Sequence, residues 1–302
     1  MNKKEYANKI VEELKNIGVT SKMTVKEIAK NNGVIYTGIL FTDEDSSVSP
    51  TYYIDEPYSK NETVENLAIK IKDVLDNDTT HKTIDVDFMQ DYNNVKDKIF
   101  GVLINKELNH DIIDNIPYAQ FGDLMLVFRI AVKNEKLGVA SALINNGMMQ
   151  TWNVTLSDLI RVVYENTEKL FPMTIENMNN VLVNMLGDDF PKNLETPVMY
   201  IVSNSIKLNG AFYLSNKKAL LEVGKTLGLE EFNIIPSSVH ELIILESNTN
   251  KEDVKIQLDM VKEVNDTQLT KDQILSYNIY HFNTKDEELI MLNNNTVIPF
   301  LY

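Results

Sequence analysis

Apolar residues recur along this chain with two alternating periods, and the switches between them mark out its elements. Tyr6, Ile10, Leu14 and Ile17 fall at helical spacing, and Gly18 follows as a left-handed stop. From Met23 to Ile28 and from Val34 to Phe41 the apolar positions alternate instead. They flank Asn31-Asn32-Gly33, a triplet that tolerates positive φ, so the pattern predicts a hairpin. Thr51 to Ile54 predicts a third strand after Pro50, and Val64, Leu67, Ile71 and Val74 or Leu75 mark the next helix face. Residues 1–80 therefore read as an α-β-β-β-α unit.

The polar, acidic run from Asn77 to Asp87 predicts a domain boundary, with a linker at 81–95 and a main domain over 96–302. Strands are expected near 98–105, 124–144, 198–204 and 232–245, the second of these in two segments joined at Asn134-Glu135-Lys136. Thr155 with Asp158 opens a helix carrying Leu156, Leu159, Val163 and Leu170, and Met178, Val181, Met185 and Leu186 mark another before Gly187. Ser215 or Asn216 caps a helix with Leu220, Val223 and Leu227 on one face, closed by Gly228. Leu242 to Leu245 is a continuous apolar run suited to a strand covered on both faces, and the short link Pro236-Ser237-Ser238 predicts an antiparallel hairpin. Thr249 with Glu252 opens a helix with Val254, Leu258 and Val261 inward, and short strands at Tyr277 to Phe282, Leu289 to Leu292 and Val297 to Leu301 complete the chain. Strand clusters and helices are segregated, which is the α+β class, with antiparallel or mixed sheets in two units.

Composition narrows function mainly by exclusion. The chain has 29 Lys plus Arg against 44 Asp plus Glu, a net charge of -15, which repels phosphate backbones and anionic lipid. Nucleic acid and membrane are thus disfavoured as partners, whereas a basic protein is compatible. With no cysteine, disulfides, thiolate metal sites and a Cys nucleophile are excluded. Met1 to Tyr6 runs straight into the first helix with no apolar leader, and no apolar run approaches the ~18 residues of a membrane span, so the expected location is the cytoplasm. Arg129 and Arg161 are the only arginines beside abundant Lys and Asn, as in an AT-rich bacterial or phage genome.

Candidate chemistry centres on Ser237, Ser238, His240 and Glu241, the residue types of a nucleophile, a base and an orienting carboxylate. On one strand, however, His240 and Glu241 would point to opposite faces, and no Gly-x-Ser-x-Gly elbow presents either serine. Asp85 and Asp87 would share a face if extended and are the candidate metal ligands. Yet His81, His110, His240 and His281 show no metal-binding spacing, and the expectation is no metal and no cofactor. Gly147, Gly210 and Gly224 are isolated and form no phosphate-binding loop. Trp152 beside Met148 and Met149, together with Asn204 and Gly210, are the candidate binding residues.

Asn31-Asn32-Gly33-Val34, Ser49-Pro50-Thr51-Tyr52-Tyr53, Lys96 through Asn105, Phe121-Gly122-Asp123-Leu124, Trp152, Glu165-Asn166-Thr167, Gly210-Ala211, Pro236-Ser237-Ser238-Val239-His240-Glu241 and Glu263-Val264-Asn265-Asp266-Thr267 occur in that order. Over almost its whole length the chain thereby resembles a domain-of-unknown-function family of clostridial and related Gram-positive bacteria, met on mobile elements and prophages. It departs from that pattern at Tyr118, where the family would have a histidine after Pro117. The second half is also distantly similar to the YtpQ-like proteins of bacilli. Neither resemblance implies an activity. The expectation is a non-catalytic cytosolic accessory factor of a phage or mobile element. It would bind a macromolecule, either a protein partner or a second copy of itself. The alternative is a hydrolase, metal-dependent or not, that uses the 236–241 hairpin.

Overall fold

The structure, a computed structural model, describes residues 1–42, 50–77, 87–134, 138–186, 198–247 and 250–302. The chain divides into two compact units, residues 1–94 with 133–140 and residues 95–132 with 141–302.

The first unit begins with α1 (Lys3–Asn16), closed at its start by a reciprocal pair of bonds between Asn2 and Glu5 that satisfies two otherwise orphaned N–H groups. β1 (Lys22–Ala29) and β2 (Ile35–Thr42) pair antiparallel from Lys22 opposite Thr42 to Ala29 opposite Ile35. Asn32 and Gly33 make the turn at φ 59° and 64°, as that triplet predicts. β3 (Thr51–Tyr53) adds to β2, and α2 (Asp55–Ser59) and α3 (Val64–Asn77) follow. Tyr6, Ile10 and Leu14 of α1 meet Leu67, Ala68 and Ile71 of α3 over Ile39 and Phe41 of the sheet. Leu75 joins this core, and Val74 is 52% exposed. Asp55 ties the layers together, accepting from Lys3 Nζ at 2.6 Å and from the Thr37 amide at 2.8 Å. Of the segment read as a linker, residues 81–86 lie outside the described residues, and Asp87–Gln90 is a 3-10 turn leading to α4 (Tyr92–Val95).

The second unit is built on two antiparallel sheets. β4 (Ile99–Asn105), β5 (Tyr118–Phe121) and β6 (Leu124–Asn134) form one, in the order β4-β6-β5, and β7 (Gly138–Leu143) also pairs with β6. All seven residues of β4 are buried, because α6 (Leu156–Leu170), which follows the short α5 (Asn146–Trp152), covers one side of it. The other sheet draws on β8 (Met173–Asn177), β9 (Met199–Asn204), β10 (Glu231–Ser238), β11 (Glu241–Glu246), β12 (Tyr280–Asn283), β13 (Glu288–Met291) and β14 (Thr296–Val297). Their order is β14-β13-β12-β10-β11-β9-β8. The helices of this half are α7 (Met178–Leu186), α8 (Lys217–Leu227) and α9 (Lys251–Thr267).

The fold is α+β with antiparallel sheets. Local readings and structure diverge in five places. Met173–Asn177 and Tyr118–Phe121 are strands outside those expected, although Met173-Thr174-Ile175-Glu176 does alternate over a short stretch. The last strand is two residues, and Phe300 instead packs its ring against Phe121 and Phe282. The helix expected to start from Thr249 is capped by Asn250, whose side chain accepts from the Glu252 amide; Thr249 lies outside the described residues. The hairpin turn sits at Val239-His240, since β10 runs on through Pro236-Ser237-Ser238 by way of a bulge between Ile235 and Ser238. A bulge is where a strand accommodates a proline that has no N–H to give the ladder.

Candidate functional site

Two places in the second unit gather polar side chains. The first is the hairpin that the sequence singled out. Its turn is joined to the segment after β9, where Asn209 takes a left-handed φ of 58° and leads into a 3-10 helix, Gly210–Ser215, with all six residues buried. The His240 carbonyl accepts from Ser203 Oγ at 2.8 Å and from the Gly210 amide at 3.0 Å, and His240 Nδ1 accepts from the Asn209 amide at 3.2 Å. Ser238 Oγ accepts from the His240 amide at 3.0 Å.

A side chain at residue 210 would have its Cβ 2.4 Å from Ser203 Oγ and 2.6 Å from the His240 carbonyl, so only glycine admits this approach. The arrangement fixes the imidazole as the tautomer with its proton on Nε2. Burial lowers the His240 pKa, against the opposing field of Asp272, so the ring is neutral at pH 7. Glu241 is pushed the other way, its carboxyl raised by burial, with Lys207 opposing and Glu176 adding to the rise. Here His240, Ser238 and Gly210 do come together, as a lock between β9, β10 and β11. Ser238 is buried and Ser237 half-buried, and neither forms a hydrogen bond with the His240 ring among the described residues. Asn204 is buried, its side chain bonding the Leu208 carbonyl and the Ile206 and Leu208 amides to shape the following loop.

The second place is an open cleft of about 480 Å³ floored by Asp123. Gly122 and Asp123 are the two-residue turn between β5 and β6, where Phe121 faces Leu124 and Gly122 takes φ 60°. Asp123 Oδ2 accepts from Ser276 Oγ at 2.7 Å and from Asn278 Nδ2 at 2.9 Å, and Oδ1 accepts from the Tyr280 hydroxyl. The Tyr280 phenol is fully buried, and burial first, then the Asp123 charge, drive its pKa well above the usual value, so it remains a donor.

Around this carboxylate the chain is pinned by asparagines. Asn105 bonds the Leu275 carbonyl at 3.0 Å, Asn109 the Asn105 carbonyl at 2.8 Å, and Asn265 on α9 the Ser276 carbonyl at 2.9 Å. The rim carries Lys106, held by Gln120 Oε1 at 2.7 Å, His110, whose Nδ1 donates to the Glu107 carbonyl at 2.9 Å, and Tyr277, whose hydroxyl donates to Asp266 at 3.2 Å. The cleft can recognise a ligand by charge-assisted hydrogen bonds at its rim, above a floor whose carboxylate already has three donors.

Trp152 ends α5 in the core at 8% exposure. Asp85 and His81 lie outside the described residues, and of Asp87 the structure describes only the backbone, at the start of a 3-10 turn. His281 is buried, its ring on Asn233 Oδ1 at 3.0 Å and near Glu231 at 3.3 Å. Among the described residues no three or more His, Asp or Glu side chains gather as a metal site would require. The cleft eluded sequence reasoning because Asn105, Asp123, Ser276 and Asn278 are too far apart in the chain to show as a motif. The one local signal was Gly122-Asp123 between apolar neighbours, which is hairpin chemistry.

These features define an antiparallel α+β protein with a polar cleft and a half-buried histidine turn. The chain belongs to the Family of unknown function (DUF5688), whose model matches residues 3–284, nearly its whole length. No curated protein and no solved structure matches it. No helix among the described residues is long and apolar enough to cross a membrane.

Proposed function

We propose that the protein works by binding another macromolecule and has no catalytic activity of its own. The observation that carries this reading is the state of Asp123. A carboxylate that accepts from Ser276, Asn278 and Tyr280 at once has most of its acceptor sites engaged inside the protein, which is the arrangement of a structural fastener. The hairpin supports the same reading, because His240 Nδ1 is engaged by a backbone amide. Lys106, His110 and Tyr277 at the cleft rim would make the recognition contacts, and the partner would be a protein.

The wider setting we infer is that of a cytoplasmic accessory factor of a phage or mobile element in clostridial or related bacteria, with the YtpQ-like proteins as distant kin. What supports it is the ordered resemblance through Pro236 to Glu241 and the scarcity of arginine beside lysine and asparagine. Affinity capture from extract of the source organism, with the full chain and with Lys106→Ala/His110→Ala as bait, tests the reading. A specific protein retained by the first and lost by the second is expected. A hydrolytic turnover of ester or phosphodiester substrates that disappears in His240→Ala would overturn it in favour of the hydrolase alternative.

A further inference from the structure

α9 carries an apolar stripe on the side turned away from its own unit. Val254, Val261 and Asn265 are buried, whereas Ile256, Met260 and Val264 are 58%, 59% and 41% exposed. Spaced by four residues, these three lie within an arc of about 80° on the helix. Among the described residues, exposed large apolar side chains elsewhere do not line up in this way. On α3, Ile69 and Val74 are also exposed, but they stand about 140° apart and share no face.

One edge of the stripe is acidic. Glu252, Asp259, Glu263 and Asp266 run beside it, all exposed, and Lys255 and Lys262 stand one row further round. Asp266 also holds Tyr277, so this edge reaches the rim of the cleft.

We propose that this face of α9 docks a basic amphipathic helix of a partner protein, with that helix's apolar side on Ile256, Met260 and Val264 and its Lys or Arg row on the acidic edge. The inference rests on the binding reading above and names the chemistry of the partner. Charge decides between occupants. Two copies of α9 packed antiparallel would set acidic edge against acidic edge, each on a chain of net charge -15, whereas a cationic helix is attracted on both counts.

The test uses the full chain and a fluorescent synthetic helix of roughly five turns (~18 residues), leucine on one face and lysine on the other. A scrambled peptide of the same composition and a leucine–glutamate counterpart serve as controls. The amphipathic lysine peptide should bind about tenfold more tightly than the scrambled one, and the glutamate peptide should not bind. Ile256→Ser/Met260→Ser, which alters only exposed positions, should erase that advantage while leaving the unfolding midpoint in place. Asp259→Asn/Glu263→Gln should flatten the salt dependence of binding.

Equal binding of the ordered and scrambled peptides, or an unaffected Ile256→Ser/Met260→Ser variant, would overturn the inference. So would a sedimenting dimer that Met260→Ser dissolves, which would assign the face to a second copy. If the peptide fails while capture through Lys106 and His110 succeeds, the binding reading stands and only this surface is lost.

Discussion

Gly210 has no room for a side chain, and that one position joins three strands of the larger sheet. Replacing it by alanine forces Ser203 or the turn carbonyl of His240 to move, so Gly210→Ala should destabilise the protein by about 1–3 kcal/mol, read as a lower denaturant midpoint. The two imidazoles, His281 buried and His240 half-buried, predict a pH dependence. His240 and His281 both have folded pKa values below the ordinary 6.5, in each case mainly through burial. The unfolded chain therefore takes up protons first as the pH falls. Their contribution is present above the unfolded value and is lost as pH drops through it toward the folded values. Glu241, with its raised pKa, acts in the opposite sense over the carboxylate range. Denaturation at about pH 7.5 and 5.5 should show His240→Gln/His281→Gln losing less stability between the two than wild type. An unchanged difference would mean that neither ring is held neutral.

At the scale of elements, the polar residues of the cleft act mostly as fasteners. Asp123 sits on the β5–β6 turn and takes its donors from the stretch that leads into β12, so a single carboxylate fastens one sheet's hairpin to the other sheet's strand. Tyr280→Phe removes one donor from a half-buried carboxylate without changing its shape. The expected cost is about 1–3 kcal/mol, seen as a lowered unfolding midpoint, and Asp123→Asn, which turns an acceptor into a donor facing Asn278, should cost at least as much. Helix boundaries follow local chemistry. Asn2 with Glu5 and Thr155 with Asp158 form full capping boxes, and Gly228 closes α8 at φ 70°. Met173–Asn177 alternates over too few residues to stand out by itself, and its five half-buried residues form a strand because β9 lies beside them.

At the scale of the whole molecule, the apolar core of the first unit is drawn, among the described residues, from residues 6 to 75. We propose that the first eighty residues or so form an independent domain, as the change in composition at Asn77 suggests. A fragment of residues 1–77 should then unfold cooperatively on its own, with a midpoint insensitive to the rest of the chain. A fragment that is unfolded by circular dichroism would show that this core needs the remainder. At this length a single core is small but sufficient for domains of its kind.

The amino-acid sequence by itself determined most of the elements and the fold class. Tyr6, Ile10 and Leu14 and the alternation around Asn31-Asn32-Gly33 each satisfy a period that one backbone geometry buries, and the continuous run Ile99 to Ile104 is short enough to fit a strand covered on both faces. It also pointed to the Pro236 to Glu241 hairpin, because serine, histidine and glutamate so close together are unusual chemistry. The tertiary structure alone decided what those residues do. His240 became a neutral, hydrogen-bonded turn residue because Gly210 and Ser203 arrive from 30 and more positions away to meet its carbonyl. Asp123 became the floor of a cleft because Ser276, Asn278 and Tyr280 converge on it from across the chain. Periodicity is a local property that neighbouring residues settle between them. A hydrogen-bonded site depends on which strands lie side by side, and that choice is made by burying the whole core at once.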